Sequence, residues 1–126
     1  MSAVYTIDKA RRLVLSSGDG ALTKEDVQGR MDRLSSDPDF DPEFAQVIDF
    51  TRITTVELEP ADIRRFAQRK IFSPTSRRAM IVKDDLHFGL ARMFATHREL
   101  EGETGIRVFR DAEEATDWVF ARTASS

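Results

Sequence analysis

Gln46-Val47-Ile48-Asp49-Phe50-Thr51, continuing as Arg52-Ile53-Thr54-Thr55-Val56-Glu57-Leu58-Glu59-Pro60, reads as a buried strand running into the start of a helix. The apolar run has strand length, and the strand is expected to end at Asp49-Phe50. Pro60 suits a first helical turn, where its missing N–H is no loss. Beyond it Ile63, Phe66 and Ala67 give that helix an apolar stripe. In α/β sheets this strand-to-helix passage is where ligands and switch residues sit. Here it carries Glu57, Leu58, Glu59 and Pro60, none of them a usable nucleophile.

Working outward toward the N-terminus, Val4-Tyr5-Thr6-Ile7-Asp8 and Leu13-Val14-Leu15-Ser16 read as a hairpin across a polar Lys9-Ala10-Arg11-Arg12 turn. Gly18-Asp19-Gly20 is expected to break the chain. Thr23, with Asp26 three residues on, makes a capping-box-like start for a first helix with Val27, Met31 and Leu34 on one face. Asp37-Pro38-Asp39-Phe40-Asp41-Pro42 is a turn-rich loop, because each proline biases its predecessor away from helix.

Toward the C-terminus, Ser73-Pro74 stops the second helix and Arg78-Ala79-Met80-Ile81-Val82 is a short strand. Asp84 or Asp85 can cap a third helix. Its Leu86, Leu90, Met93 and His97 form one stripe and Phe88, Ala91 and Ala95 another, so its middle is apolar nearly all round apart from Arg92. Gly102 and Gly105 bracket the exit. Arg107-Val108-Phe109 is a strand, and Asp111 with Glu114 starts a last helix carrying Ala115, Trp118 and Val119. The order β-β-α-β-α-β-α-β-α predicts an α/β fold: a mixed, mostly parallel sheet of about five strands with four helices. Residues 1–122 are expected to form one domain and 123–126 a frayed tail.

The composition bounds the function. The 126 residues are 40% hydrophobic and 33% charged, ordinary for a soluble globular domain with a core. No apolar run approaches membrane-spanning length and the start lacks a secretory pattern, so a cytoplasmic location is expected. The absence of cysteine removes disulfides, thiolate catalysis and sulfur-ligated metals, and fits a reducing compartment. A formal charge of −3 favours neither nucleic acid nor an anionic membrane.

The Val47-Ile48-Asp49-Phe50-Thr51-x-Ile53-Thr54 segment, the strand from Arg77 to Val82, and the ending Val108-Phe109-Arg110-Asp111-x-x-Glu114-Ala115-x-x-Trp118 together resemble the STAS-like proteins, and within them the uncharacterised bacterial SpoIIAA-like families. The resemblance spans nearly the whole chain in element order, through hydrophobic and capping signals. In anti-sigma-factor antagonists of this fold, a serine or threonine just after the strand matching Gln46 to Asp49 is phosphorylated to control binding to a kinase. The matching stretch here, Val56-Glu57-Leu58-Glu59, has no hydroxyl. Thr51, Thr54 and Thr55 are the nearby candidates for such a switch. Related STAS-like and Sec14-like proteins also include lipid and small-ligand binders.

No catalytic constellation emerges. His87 and His97 are ten residues apart on the third helix, not at the spacing that converges two side chains on a metal. His97, on the apolar stripe, reads as a satisfied or interface histidine. Ser16, Ser17 and Thr23 flank Gly18-Asp19-Gly20 without a phosphate-loop or nucleophile-elbow pattern. The acidic Asp37-to-Glu43 loop has two prolines and lacks the glycine and closing ligand of a calcium loop, so it reads as a solvated turn. No enzyme, cofactor or metal is expected.

Charge distribution adds a partner surface. From Ile63 to Lys83 the ionisable residues are all basic, and Arg64, Arg65, Arg69, Lys70, Arg77 and Arg78 form a candidate anion or partner patch. Exposed aromatics are not interleaved with them, which argues against nucleic acid and for a complementary acidic protein surface. The doubly apolar third helix offers a candidate interface at Leu86, Phe88, Arg92 and Ala95. The expectation is a non-enzymatic, regulatory STAS-like binding domain acting as a homo-oligomer, a dimer or higher, with a protein partner. The alternative is a carrier of an apolar small molecule or lipid, in a pocket lined by this helix with Phe50, Phe72 and Phe94.

Overall fold

A computed structural model describes residues 3–121, so the expected tail at 123–126 lies outside the described residues. Five strands, β1 (Val4–Asp8), β2 (Leu13–Thr23), β3 (Ala45–Glu57), β4 (Arg78–Ile81) and β5 (Ile106–Phe109), alternate after the first hairpin with four helices. These are α1 (Lys24–Ser35), α2 (Pro60–Gln68), α3 (Asp85–Leu100) and α4 (Ala112–Phe120). The sheet runs in chain order, β1 antiparallel to β2 and every later pair parallel. The expected element order and mixed, mostly parallel sheet are therefore present.

Chain-order pairing also decides which face each helix covers. Three successive right-handed crossovers advancing in one direction must lie on one side of a sheet. Accordingly Val27 and Met31 of α1 and Phe66 of α2 share one core cluster, while Ala91 and Ala95 of α3 pack on Ile48, Met80 and Ile106. Helix α4 follows the last strand, is free of that constraint, and covers the opposite face through Ala115 and Val119 against Leu13, Val47, Ala79, Ile81 and Phe109. The period-2 alternation of strands delivers the two sets: Val47 to one side, Gln46 and Ile48 to the other.

The helix starts form as their sequences dictate. Thr23 accepts from the Asp26 N–H at 3.2 Å, Asp84 from His87 at 2.8 Å and Asp111 from Glu114 at 3.2 Å, each satisfying a donor that the first turn leaves open. Glu59 and Asp62 form a reciprocal capping box ahead of Pro60.

Two expectations about strand ends are corrected. Gly18-Asp19-Gly20 does not break the chain: β2 continues to Thr23, with register shifts against β3 between Ser17 and Asp19 and between Gly20 and Ala21. Gly20 takes φ +68°, a conformation that glycine adopts without steric penalty, so the strand bends at a bulge and keeps pairing. Likewise β3 does not stop at Phe50 but reaches Glu57. Its second half pairs with β2 alone, because β4 matches only Gln46 to Asp49.

Candidate functional site

The unequal strand lengths position an apolar cavity. Beyond the short β4, the β2/β3 ribbon brings Leu22, Ile53 and Val56 toward α1 and α2, where they pack with Val27, Met31 and Phe66. Between this cluster and the one under α3, a cavity of about 100 Å³ remains. Its floor is Ile48, Met80 and Val82 of the sheet side, and Leu90, Ala91 and Phe94 of α3 form one wall. Among its lining residues only Arg30 and His87 are ionisable. His87 is buried, and its Nδ1 lies 3.0 Å from Asp84 Oδ2 at the helix cap.

A second cavity of about 40 Å³ adjoins the first, sharing Arg30, Met31, Ile48, Met80 and Phe94 with it. Its wall is different in kind: Arg30, Arg78, Arg98 and Gln46 supply polar groups and no carboxylate lines it. Arg78 and Arg98 are 3% exposed each and Glu103 only 1%. The single Glu103 carboxylate lies 3.2 Å from Arg78 Nη2 and 3.1 Å from Arg98 Nη1 through the same oxygen, Oε2. These contacts are close enough for ion pairing but poorly aligned, so Arg78 Nη2, Arg98 Nε and both Glu103 oxygens make no hydrogen bond among the described residues. Burial lowers the pKa of both arginines, and the Glu103 charge opposes that shift. The guanidiniums also stack on aromatic rings, Arg78 over Phe72 at 5.2 Å and Arg98 over Phe94 at 5.0 Å.

Arg30 stands at the junction. Burial, and then the neighbouring Arg33 charge, push its pKa down to about 10. None of the ion pairs among the described residues includes it.

The residues expected to carry function from sequence are dispersed. Thr51 Oγ1 donates to Asp49 Oδ1 at 2.6 Å, while Thr54 and Thr55 are exposed inside β3 rather than in a loop ahead of a helix. Of the third-helix quartet, Leu86 is 71% exposed and Arg92 is exposed, but Ala95 belongs to the core and Phe88 is half-buried, with Arg110 over its ring at 4.5 Å. Ala95 is corrected from interface to core because the face of α3 turned to the sheet carries His87, Ala91, Ala95 and Arg98. Helical spacing had placed Phe88, Ala91 and Ala95 on one stripe; the omitted signal was Arg98, which continues the Ala91-Ala95 row.

The basic patch is likewise divided. Arg78 is corrected from surface to core, since it alternates with Ala79 along a strand whose four residues are all buried. Arg77 turns to the α4 side, donating to the Trp118 carbonyl at 2.6 Å. Arg69 pairs with Asp32 at 2.7 Å and Arg65 with Asp62 at 3.2 Å, leaving Arg64, Arg65 and Lys70 exposed on α2 and its exit. In the acidic loop, the Asp39 N–H and then the Tyr5 hydroxyl hold the Asp37 carboxyl below its usual range, so its oxygens serve the turn. Among the described residues there is no cluster of three or more His, Asp or Glu able to hold a metal ion, and no helix long and apolar enough to cross a membrane.

Neither a family model nor a curated protein matches the chain. Among solved structures it is similar to an uncharacterized protein of the DUF3478 family with a SpoIIAA-like fold from Shewanella loihica PV-4. That likeness has a TM-score of 0.62 at 22% identity and covers 94% of each chain. The protein therefore has a SpoIIAA-like fold, as the sequence resemblance implied.

Proposed function

We propose that this is a non-enzymatic binding domain whose ligand is a small, largely apolar molecule held between the sheet and helices α1, α2 and α3. The observation that carries this reading is the cavity of about 100 Å³ under α3, walled by aliphatic and aromatic side chains and sharing five lining residues with a cationic recess. A concave apolar site with a few convergent polar groups is the usual form of a small-molecule site. An engineered apolar cavity of about 150 Å³ accepts benzene, so the space suits a hydrocarbon group of about five carbons, with any longer portion leaving through the mouth. Native mass spectrometry of the chain purified gently from its own host tests the proposal: the expected spectrum has a defined extra mass of small-molecule size. Bare protein that also fails to take up apolar probes would overturn it.

A second reading is that the domain self-associates and serves a protein partner through α3. Leu86, Leu90, Met93, His97 and Leu100 follow one another by alternating steps of four and three residues, the spacing of a seam between paired helices. Leu86 and Leu100 at its ends are 71% and 78% exposed. Both readings share α3, so an assembly there would also flank the cavity wall.

A further inference from the structure

Three arginines enter the smaller cavity wall against a single nearby carboxylate, and that imbalance specifies the ligand further. Glu103 matches one of the two positive charges it touches, which leaves one guanidinium charge of the Arg78/Arg98 pair unmatched. Arg30 adds another at the junction of the two cavities, with no ion-pair partner among the described residues. Arg98 Nε is a buried donor without a hydrogen bond. Buried cations such as Arg78 and Arg98 are costly unless an anion meets them, because the interior screens charge weakly.

We propose that the two cavities together take one small amphipathic carboxylate, its hydrocarbon part in the larger cavity and its carboxylate in the smaller one, facing Arg30 with Arg78 and Arg98 behind it. This rests on the ligand-binding reading above and names its ligand class. The shapes agree with it: the larger space is lined by hydrocarbon, and the smaller one, about 40 Å³, has the size of a compact polar head. A planar guanidinium fork favours a carboxylate, to which it can donate two parallel N–H bonds. Arg30 is half-buried, and burial with the neighbouring Arg33 charge lowers its pKa to about 10, so an arriving anion would be met by a partly desolvated charge. Glu103 pairs with Arg78 and Arg98, and Arg30, which lines the same recess, takes part in none of the ion pairs among the described residues.

The test compares octanoate with octanol, equal in chain length and different in charge, by isothermal titration calorimetry on the full chain and on Arg30→Met. Thermal melts of the ligand-free proteins accompany the titrations. In the wild type, octanoate should bind about tenfold more tightly than octanol, the size of one charge-assisted hydrogen bond. Arg30→Met should be at least as heat-stable as the wild type without ligand and bind octanoate no better than octanol. Equal affinities for the two probes in the wild type, unaltered by Arg30→Met, would overturn the carboxylate while leaving the apolar-ligand reading intact. Binding of neither probe would overturn both. If Arg30→Met does not fold, Arg30→Gln, which keeps a polar tip without the charge, gives the same comparison.

Discussion

Glu103 holds one carboxylate oxygen against two guanidiniums in a part of the core where all three side chains are almost fully buried. Removing its charge strands both arginines, and breaking a buried ion pair from one side costs about 3 to 5 kcal/mol. Glu103→Gln, nearly isosteric, is therefore expected to lower stability by that amount in urea-induced unfolding, with no change in strand or helix content by circular dichroism. A loss below about 1 kcal/mol, the range of an exposed pair, would show that water reaches the trio. This cluster was the least legible part of the sequence. Arg78 sat in a basic run and read as surface, although the buried Ala79, Met80 and Ile81 beside it left a four-residue strand no solvent face. Nothing local in the sequence marks Arg98 and Glu103 as buried, because Arg78, which shares the cluster from β4, is distant in sequence. Arg30 was overlooked for a related reason: a lone charge at the flank of an amphipathic helix reads as solvated unless the opposing wall is known.

At the scale of elements, local signals were read well where the physics is local. The helix caps Thr23, Asp84 and Asp111 occur where side-chain oxygens meet open N–H groups of the first turn. Strand ends were misjudged because their length depends on a neighbour. Thr51 to Glu57 stay extended by pairing with β2, and Gly20 lets β2 bend without stopping. Helix α3 carries both kinds of result: its doubly apolar character was legible, but which stripe faces the sheet depended on the position of β4 and β5. The outward seam is now the one ending in Leu86 and Leu100, and Phe88 is a poor probe because it is half-buried under Arg110. If the seam joins two copies, Leu86→Glu combined with Leu100→Glu should halve the mass measured by light scattering and leave the melting temperature of the monomeric fold nearly unchanged. An oligomer of undiminished mass in the double variant would remove α3 as the interface.

For the whole molecule, the cavity follows from sheet architecture. Chain-order pairing puts three helices on one face, and the short β4 ends while β2 and β3 continue, so the helices close over strands of unequal reach. Space is left where the two core clusters meet, bordered by Ala91 on α3. Such a void forfeits dispersion contacts along its lining, so it lowers stability unless something occupies it. Ala91→Leu extends a side chain into that void from a buried helix position. It is expected to raise the stability of the ligand-free protein by about 1 kcal/mol, the usual gain from filling a cavity, and to abolish binding of octanol and octanoate alike. Opposite signs for stability and binding, measured by urea unfolding and calorimetry on the same preparation, identify a void kept for a ligand. If Ala91→Leu instead destabilises the fold and leaves probe binding intact, the space beside Ala91 is already closed in solution and the ligand site lies elsewhere.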